Sequence, residues 1–406
     1  MNESGINSRG SAVSFAIGSR GYYGTGNDDG LSSLDSRLRD LYEYNPSSDT
    51  WTTLDSLPGA KRNNAVSFVI NGFGVIGMGH IGKRHASMVQ SNDECELVAI
   101  CDVLDKSHLG LDEINAPFYN SAKQMLEEES SIDIVCVCTP NGLHSEHSDL
   151  ALDYKKHVVV EKPMGLSKAN CEHLIFKALN VNKNIFCVMQ NRYSPPSQWL
   201  KEMVSSEKLG KIYNVQINCY WNRDDRYYFK DNKKHAWKGT ADLDGGTLFT
   251  QFSHFVDLMY WIFGDITDIQ AKFDNFSHKH SIEFEDTGIV NFRFVNGGMG
   301  SLNYSSSVWD SNLESSVTVI AENGTIKVGG QYMDKVEFCN VKDYNFQELP
   351  ASNPANDYGA YKGSANNHPY IFDNVVDVIK NSRPISTNAL EGMKVVDIIE
   401  RIYNLK

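Results

Sequence analysis

The most constraining feature of the sequence is a glycine-rich turn between an apolar strand and a helix. Residues 73–76 read Phe-Gly-Val-Ile, the turn is Gly77-x-Gly79-x-x-Gly82, and Asp102 follows the last glycine by twenty positions. In a βαβ unit such glycines allow a tight turn, let the backbone approach a pyrophosphate and let helix and strand pack closely. The helix N-terminus then faces the phosphates with its free N–H groups. The pattern predicts a dinucleotide site comprising Gly77, Gly79, His80, Ile81, Gly82 and Asp102.

The acidic residue indicates which dinucleotide is bound. A second apolar strand, predicted over residues 96–101, ends directly before Asp102, which is the context that the motif requires. Asp102 would accept hydrogen bonds from ribose hydroxyls and would repel a 2′-phosphate. Its neighbours Cys101 and Val103 offer no phosphate partner. We therefore expect NAD rather than NADP.

Size and charge limit the class of protein. The chain has 406 residues, enough for two or three hydrophobic cores, and its formal net charge is -13. This charge argues against a general binder of nucleic acids or membrane surfaces, because polyanions are repelled. No window approaches the ~18 to 20 apolar residues of a membrane span, and the start of the sequence has no signal-peptide core. We expect a cytoplasmic protein without nucleic-acid or membrane partners.

The cysteines and paired histidines do not suggest a metal centre. The eight cysteines include no CxxC pair, and several lie in apolar strand-like runs, so buried reduced thiols are expected. His144 and His147 form an HxxH pair, and His278 and His280 form an HxH pair. Neither pair has a cysteine or acidic ligand set nearby. We expect no metal site.

The order of predicted elements defines two large domains. From 72 to about 190, short β-rich runs alternate with helical patterns, which is typical of a parallel sheet with right-handed crossovers. From about 195 onward, strands with turn signals at Asn296-Gly297 and Asn323-Gly324 predict a large open antiparallel sheet. Two amphipathic helices at 367–381 and 388–404 are expected to pack back on the first domain. The predicted fold is an α/β Rossmann domain at 71–192 followed by an α+β domain at 193–406.

The first seventy residues have a different character. Two AVSF strings stand 53 residues apart, at 12 and 65, and the segment between them is rich in Gly-Tyr and Trp strand patterns. This resembles about one and a third kelch repeats, and one repeat is a single propeller blade that cannot close a propeller alone. We expect residues 1–70 to be a β-rich kelch-like appendage, poorly packed, without a catalytic role. The alternative is a working carbohydrate-binding or oligomerisation module.

Four further strings accompany the glycine-rich turn. They are Cys138-Thr-Pro-Asn141 with His144, Glu161-Lys162-Pro163, Gln190-Asn-Arg-Tyr193, and Gly245-Gly246 followed by His254 and Asp257. Together with the turn they resemble the glucose-fructose oxidoreductase and inositol dehydrogenase family (Gfo/Idh/MocA) over about residues 72–406. The resemblance implies an NAD-dependent dehydrogenase acting on a sugar CH–OH, and a homo-oligomer, dimer or tetramer, formed through the antiparallel sheet. It also assigns cofactor contacts to Thr139, Asn141, His144, Glu161, Lys162 and Gln190.

Lys162 and His254 are the candidate catalytic residues. Lys162 follows the apolar strand HVVVE, so it lies at the carboxyl edge of the parallel sheet, where ligands bind. A partly desolvated amine there has a lowered pKa and can exchange a proton with a hydroxyl. The alternative is a lysine that only pairs with Glu161. The resemblance implies that Lys162 and His254 act together on the hydroxyl that loses hydride.

The surroundings of His254 depart from the family pattern. Many relatives carry Asp four residues before this histidine, whereas this chain has Thr250. We therefore expect no second carboxylate in the site, with proton transfer resting on Lys162 and His254 and with Asp257 at most orienting the imidazole ring. The alternative for a histidine on such an apolar helix is a structural role.

A basic segment suggests an anionic sugar substrate. Residues 221–238 hold six Lys or Arg against three Asp, interleaved with aromatics, which suits phosphate or carboxylate groups; the alternative is a solvated loop. The strings NRYSPP, WKGT and LDGGTLFTQFSH look most like the branch that oxidises UDP-N-acetyl-2-amino-2-deoxyglucuronate at its 3-hydroxyl. The alternatives are a dehydrogenase of inositol or a free sugar, and a non-catalytic regulator that binds NAD or sugar. The candidate substrate contacts are Arg192, Tyr193, Asn222, Trp237, Thr250 and Gln251.

Overall fold

A computed structural model describes residues 9–17, 20–28, 37–57, 72–359 and 361–406. The chain divides into two compact units, Met1–Asn71 and Gly72–Lys406. In the described part of the chain, no helix is long and apolar enough to cross a membrane.

The described strands of the first unit form two small antiparallel sheets, one of two strands and one of four. The larger is a four-stranded meander in the order β2-β3-β5-β6, stabilised by stacking of Phe15 on Tyr22 with ring centroids 5.2 Å apart. The described strands fit the β-rich character expected for this segment. The second AVSF string, at 65–68, lies outside the described residues. The strands are β1 (Arg9–Gly10), β2 (Val13–Ile17), β3 (Arg20–Gly24), β4 (Asn27–Asp28), β5 (Leu41–Asn45) and β6 (Thr50–Leu54).

The second unit begins with a six-stranded parallel sheet, as predicted. The strand order is β12-β11-β10-β7-β8-β9, and strands 134–137 and 157–160 are buried Val and Ile runs that suit a sheet covered on both faces. The strands are β7 (Gly72–Ile76), β8 (Glu96–Cys101), β9 (Phe118–Tyr119), β10 (Ile134–Val137), β11 (His157–Val160) and β12 (Ile185–Cys187). The helices are α1 (His80–Gln90), α2 (Ala122–Glu128), α3 (His144–Asp153) and α4 (Lys168–Asn180), with short 3₁₀ turns at Asn141–Leu143 and Gln190–Tyr193.

A seven-stranded sheet follows, in the order β16-β17-β18-β13-β19-β20-β21. It is mixed rather than wholly antiparallel, because β13 pairs with β18 in parallel while its other pairs are antiparallel. Its strands are β13 (Ile212–Tyr220), β16 (Ile266–Asp274), β17 (Thr287–Phe294), β18 (Met299–Ser305), β19 (Glu314–Ala321), β20 (Gly324–Gly329) and β21 (Lys335–Val341). The short strands β14 (Phe229–Lys230) and β15 (Lys233–Lys234) form a separate two-stranded sheet.

Helices cover one face of this sheet and connect it to the parallel sheet. Inward side chains such as Val290 and Phe292 alternate with exposed ones along β17, so only one face is buried. The remaining elements are α5 (Pro195–Ser205), α6 (Asp225–Tyr228), α7 (Ala241–Asp244), a π-helical turn (Leu248–Phe252), α8 (Ser253–Phe263), β22 (Ala355–Asp357), β23 (Lys362–Ala365), α9 (His368–Asn381) and α10 (Ala389–Tyr403).

The two C-terminal helices pack against elements of the parallel sheet. The ring of Phe372 on α9 lies 5.9 Å from that of Phe73 and 5.2 Å from that of His85. Glu400 on α10 accepts a hydrogen bond of 3.0 Å from the backbone N–H of Lys168, at the start of α4. The chain therefore returns to its first sheet, and this return brings His368 beside residues of the EKP string.

Candidate active site

The glycine-rich turn is open at one position. Gly77 has φ of +88°, and a Cβ on Gly82 would lie 1.8 Å from the carbonyl oxygen of Gly77. Gly79 has no heavy atom within 4 Å of its hypothetical Cβ position and directly precedes α1, which begins with His80 and Ile81. Gly77 and Gly82 are thus needed for the turn itself, whereas the space at Gly79 fits the approach of a phosphate to the helix N-terminus.

Asp102 is already positioned at this turn. Its carboxylate accepts a 2.6 Å hydrogen bond from the backbone N–H of Met78 and a 2.9 Å bond from that of Leu104. The acid therefore fixes the glycine-rich loop at the end of β8. It stands where the sequence places the partner of the ribose hydroxyls.

Two buried side chains, Asn141 and the nearby His144, hold neighbouring loops of the site in place. The ring of His144 lies between two backbone carbonyls, with Nδ1 2.6 Å from Pro163 O and Nε2 2.8 Å from Thr139 O. The Asn141 amide donates a 2.9 Å hydrogen bond to the backbone carbonyl of Asp244 on α7. Both side chains have protein partners, so they position the loops rather than present free groups.

Glu161 is buried between two histidines. His85 Nε2 lies 2.9 Å and His368 Nε2 lies 3.5 Å from Glu161 Oε1, while the other oxygen accepts from the Lys162 backbone N–H at 3.2 Å. Burial alone would raise the pKa of Glu161, but the two histidines hold it well below its usual range. The three side chains also offer ligand atoms within 4.8 Å of one another, a cluster that could hold a metal ion. Their positions at 85, 161 and 368 explain why no motif in the sequence revealed it.

Lys162, at the end of β11, contacts the π-helical turn that precedes α8. Its ammonium donates a 2.6 Å hydrogen bond to the backbone carbonyl of Thr250 in the π-helical turn. Burial lowers the pKa of Lys162 to about 8, Glu161 and Asp244 oppose this effect, and Arg223 adds to it. The amine is therefore poised to lose its proton close to neutral pH.

His254 lies four residues after Thr250, in the first turn of α8. Its Nε2 is 3.3 Å from the amide nitrogen of Gln190, and its Nδ1 has no hydrogen-bond partner among the described residues. Burial first, and then the charge of Lys162, hold the pKa of His254 well below its usual range. The ring is therefore neutral. The structure brings Lys162, His254 and Gln190 together at the junction of the two sheets.

Asp257 does not orient the imidazole, contrary to expectation. It forms a buried two-bond ion pair with Arg192, at 2.5 and 2.8 Å, and Glu391 adds a third contact to the guanidinium at 2.8 Å. Arg192, a candidate substrate contact, is therefore occupied by protein carboxylates. The ring of Tyr193, another candidate, stacks on that of Tyr370 at 5.5 Å.

The site does contain a second carboxylate, which the sequence analysis missed. Asp244 is fully buried directly before Gly245 and Gly246, and its carboxylate accepts a 2.7 Å hydrogen bond from the Gly239 N–H. Burial raises the pKa of Asp244 to about 6, against the opposing influence of Lys162. The expectation of no second carboxylate was wrong, because the DGG string turns this acid inward. The only local signal was an acid before two glycines, whose φ angles are +89° and +127°.

The basic segment contributes two buried cations, while its other four basic residues, Arg226, Lys230, Lys233 and Lys234, are exposed as in a solvated loop. Lys238 lies 4.1 Å above the ring of Tyr227, and Arg223 lies 4.8 Å from the ring centre of Trp221. Burial lowers the pKa of Lys238 to about 8 and also lowers that of Arg223. Neither cation was singled out from the sequence.

The remaining candidate substrate contacts are divided between site and scaffold. Gln251 accepts a 2.6 Å hydrogen bond from Arg223 Nε, and the half-buried Trp237 precedes Lys238. Asn222 is buried and donates a 2.7 Å bond to the backbone carbonyl of Val308, so it anchors the end of β13. Thr250 accepts the hydrogen bond from Lys162 through its backbone carbonyl group.

Comparisons with known proteins agree with this architecture. Residues 71–189 match the model of an oxidoreductase family with an NAD-binding Rossmann fold (GFO_IDH_MocA), and residues 197–327 match the GFO/IDH/MocA C-terminal domain. The myo-inositol 2-dehydrogenase of Thermotoga maritima is 27% identical over 243 residues, 57% of this chain and 67% of that protein. The next two curated relatives are matched over 62% and 57% of their lengths.

Two solved structures resemble almost the whole second unit. The WlbA dehydrogenase from Bordetella pertussis, in complex with NADH and UDP-GlcNAcA, is 29% identical with a TM-score of 0.69, covering 82% of this chain and 95% of that one. The WlbA dehydrogenase from Chromobacterium violaceum, with the same ligands, is 29% identical with a TM-score of 0.72, covering 84% and 94%.

These matches confirm the predicted fold class, the enzyme class and the cofactor. The two family models together span more than half of the residues, and they meet at the boundary between the parallel and mixed sheets. The open glycine turn and the fixed Asp102 are what an NAD site requires. The chain therefore belongs to the Gfo/Idh/MocA family of NAD-dependent sugar oxidoreductases.

Proposed function

We propose that this chain oxidises a nucleotide-linked sugar acid, UDP-N-acetyl-2-amino-2-deoxyglucuronate, at its 3-hydroxyl. The observation that supports the proposal is the hydrogen bond from the Lys162 ammonium to the backbone carbonyl of Thr250, because Thr250 precedes His254 by only four residues. The two WlbA dehydrogenases, which are solved with NADH and UDP-GlcNAcA, support the substrate. The buried basic groups Arg223 and Lys238 suit its negative charge.

The proposed NAD site consists of the glycine-rich turn and the strand ends around it. The backbone at Gly79, His80 and Ile81 faces the pyrophosphate, Gly77 and Gly82 shape the turn, and Asp102 receives the ribose hydroxyls. NAD supplies the hydride acceptor for the reaction.

Thr139, Asn141, His144, Glu161, Lys162 and Gln190 complete the proposed cofactor environment. Of these, His144 and Glu161 hold the loops in place, since their polar atoms already have protein partners. The amide nitrogen of Gln190 contacts His254, whereas its amide oxygen has no hydrogen-bond partner among the described residues.

Proton removal is assigned to the two catalytic side chains. As the substrate carbon loses hydride, its hydroxyl proton passes to the Lys162 amine, with His254 as the adjacent neutral acceptor. Thr250, Gln251 and Trp237 border the space for the sugar. Holding both reactants in this geometry supplies roughly 7 to 11 kcal/mol of the barrier in well-oriented cases.

The domain roles follow from this assignment. Residues 71–192 bind NAD, and residues 193–406 bind substrate and form the oligomer. The uncovered face of the mixed sheet carries apolar side chains that are about half exposed, which supports a homo-oligomer through this face: Ile289, Met299, Ile320 and Phe338. Residues 1–70 remain a proposed kelch-like appendage, and the four-stranded meander is consistent with one blade.

Nicotinamide absorbance tests the proposed function. Purified protein with NAD should give an absorbance increase with UDP-N-acetyl-2-amino-2-deoxyglucuronate and none with myo-inositol or glucose. Turnover of inositol instead would favour the activity named for the Thermotoga relative. Binding of NAD and sugar without any turnover would favour the regulator, and would contradict the proposal.

A further inference from the structure

Arg223 is a buried cation in an aromatic cage. Its side chain is among the largest fully buried ones, with the residue 2% exposed. The guanidinium carbon lies 4.8 Å from the ring centre of Trp221, 5.1 Å from that of Tyr361 and 5.5 Å from that of Tyr227. Aromatic faces attract a cation, but a buried charge is costly unless an opposite charge accompanies it.

The hydrogen bonds of Arg223 go only to neutral acceptors. Nε donates to Gln251 Oε1 at 2.6 Å, Nη1 donates to Asn222 O at 2.6 Å and to Asn312 Oδ1 at 3.3 Å, and Nη2 donates to Lys362 O at 3.2 Å. A guanidinium has five N–H groups, so one N–H on Nη2 is left. Within the described ranges, no carboxylate is paired with this side chain.

Arg192 shows how this fold compensates a buried guanidinium when the role is structural. It is 4% exposed, and it is bonded to both oxygens of Asp257 and to Glu391. Arg223 is buried at least as deeply without any such partner. The contrast indicates that the negative charge for Arg223 comes from outside the chain.

The electrostatic neighbourhood places Arg223 on the sugar side of the site. Its charge acts on both Lys162 and Lys238, so three cations share this region with two carboxylates, Asp244 and the histidine-bonded Glu161. Of these three cations, Lys238 also acts on His80 at the phosphate turn, together with Lys83, Lys230 and Arg84. An anion beside Arg223 therefore lies next to the proton acceptor Lys162 rather than at the cofactor phosphates.

We propose that Arg223 recognises the carboxylate of a sugar-acid substrate through its remaining Nη2 N–H. The three aromatic rings hold the guanidinium in place before substrate arrives, so little ordering is needed on binding. The substrate carboxylate supplies the negative charge that Arg223 lacks among its protein partners. Binding of an acidic sugar is therefore favoured over binding of its neutral counterpart. This inference rests on the proposed sugar dehydrogenation and identifies Arg223 as the residue that binds the sugar carboxylate.

The test compares two ligands that differ only in this charge. UDP-N-acetyl-2-amino-2-deoxyglucuronate carries a carboxylate where UDP-N-acetylglucosamine carries a CH₂OH group. Their dissociation constants are measured by titration calorimetry with saturating NADH, for the wild type, Arg223→Gln and Arg223→Lys. In Arg223→Gln we expect binding of the acid to weaken about ten- to a hundredfold while binding of the neutral sugar stays within about threefold. Lysine restores part of the loss.

Two further variants keep the test independent of folding. Gln251→Glu places a carboxylate against Arg223 without removing the guanidinium, so binding of the acid should weaken although thermal stability is kept. Arg226→Gln is the matched control, because Arg226 lies in the same segment but is half exposed and already paired with Asp224 at 2.7 Å. Its preference for the acid should equal that of the wild type.

Each other outcome overturns the inference. Equal weakening of both sugars in Arg223→Gln and in Gln251→Glu means that Arg223 only supports the fold. Weaker NADH binding in the absence of sugar means that it serves the cofactor. A wild type that oxidises the acid but whose variants keep the same preference contradicts this inference alone, whereas a wild type that neither binds nor oxidises the acid contradicts the proposed function as well.

Discussion

The ammonium of Lys162 donates a 2.6 Å hydrogen bond to the backbone carbonyl of Thr250, one helical turn before His254. Two groups 88 positions apart in the sequence thus meet, one at the end of β11 and one in the π-helical turn before α8. The contact makes the catalytic assignment testable, because a lysine that only paired with Glu161 would not reach across to this helix.

Replacement of Lys162 should separate chemistry from binding. In Lys162→Met the apolar stem is kept and the proton acceptor is lost, so we expect kcat to fall by roughly 10²- to 10⁴-fold. NAD affinity, measured by titration calorimetry, should change little. Unchanged kcat in this variant would rule out Lys162 as the base.

The pH dependence of kcat/KM should follow the lysine. Its pKa of about 8 means that the amine gains its neutral form as pH rises through that value, so kcat/KM should rise across the same range. Asp244 raises the pKa of Lys162, so Asp244→Asn should move the rise to lower pH. A pH profile of the variant that is unmoved, or displaced upward, would contradict this coupling.

The glycines of the turn should have separable roles. Gly79→Ala meets no atom of the protein and has φ of -67°, so the unfolding free energy should be nearly unchanged while NAD affinity falls roughly tenfold or more. Gly82→Ala places Cβ 1.8 Å from Gly77 O and should cost about 1 to 3 kcal/mol of stability. Chemical denaturation and NAD titration on both variants check this pair.

The ion pair of Arg192 should matter for stability rather than for substrate. Asp257→Asn leaves a buried guanidinium with only Glu391 as its counter-ion, so we expect a loss of about 3 kcal/mol in unfolding free energy. Arg293→Gln is the control, because Arg293 and Asp268 form an exposed pair at 3.7 Å, with an expected change below about 1 kcal/mol. Equal losses in the two variants would show that burial of the pair is irrelevant.

Removal of the first unit should not affect catalysis. The chain splits between Asn71 and Gly72, so a protein that begins at Gly72 contains both sheets and the whole candidate site. We expect its kcat and KM to match those of the full chain within about twofold, which steady-state kinetics measures. A large loss of turnover would give residues 1–71 a functional role.

Local patterns were sufficient for the order of the elements. The alternation of apolar runs and helices predicted the parallel sheet, because strands buried on both faces are continuously apolar. Strands such as β16 were missed, since Ile266 is its only fully buried residue and the period-two signal is weak. The parallel pairing of β13 with β18 was also missed, because it joins segments that are distant in sequence.

Side-chain partners were harder to predict than elements. Asp257 follows His254 by three positions, so a helix places them near one another, yet the carboxylate turns to Arg192. Asp244, which lies in the LDGG string but was not among the candidate site residues, is the acid that stands near Lys162. Sequence spacing predicted that Asp257 would lie near His254. The ion pair that Asp257 forms depends instead on which buried charges the fold brings together.

The sequence by itself determined the glycine-rich turn and the acid that follows it, because these depend on backbone conformation and on residue type at fixed spacing, while its family resemblance supplied Lys162 and His254 as catalytic candidates. Only the tertiary structure decided which carboxylate enters the site, which arginine is already neutralised and which cation is left without a counter-charge. The reason is physical. Backbone geometry is a local property, whereas the energy of a buried charge depends on every group that folding brings within a few ångströms of it.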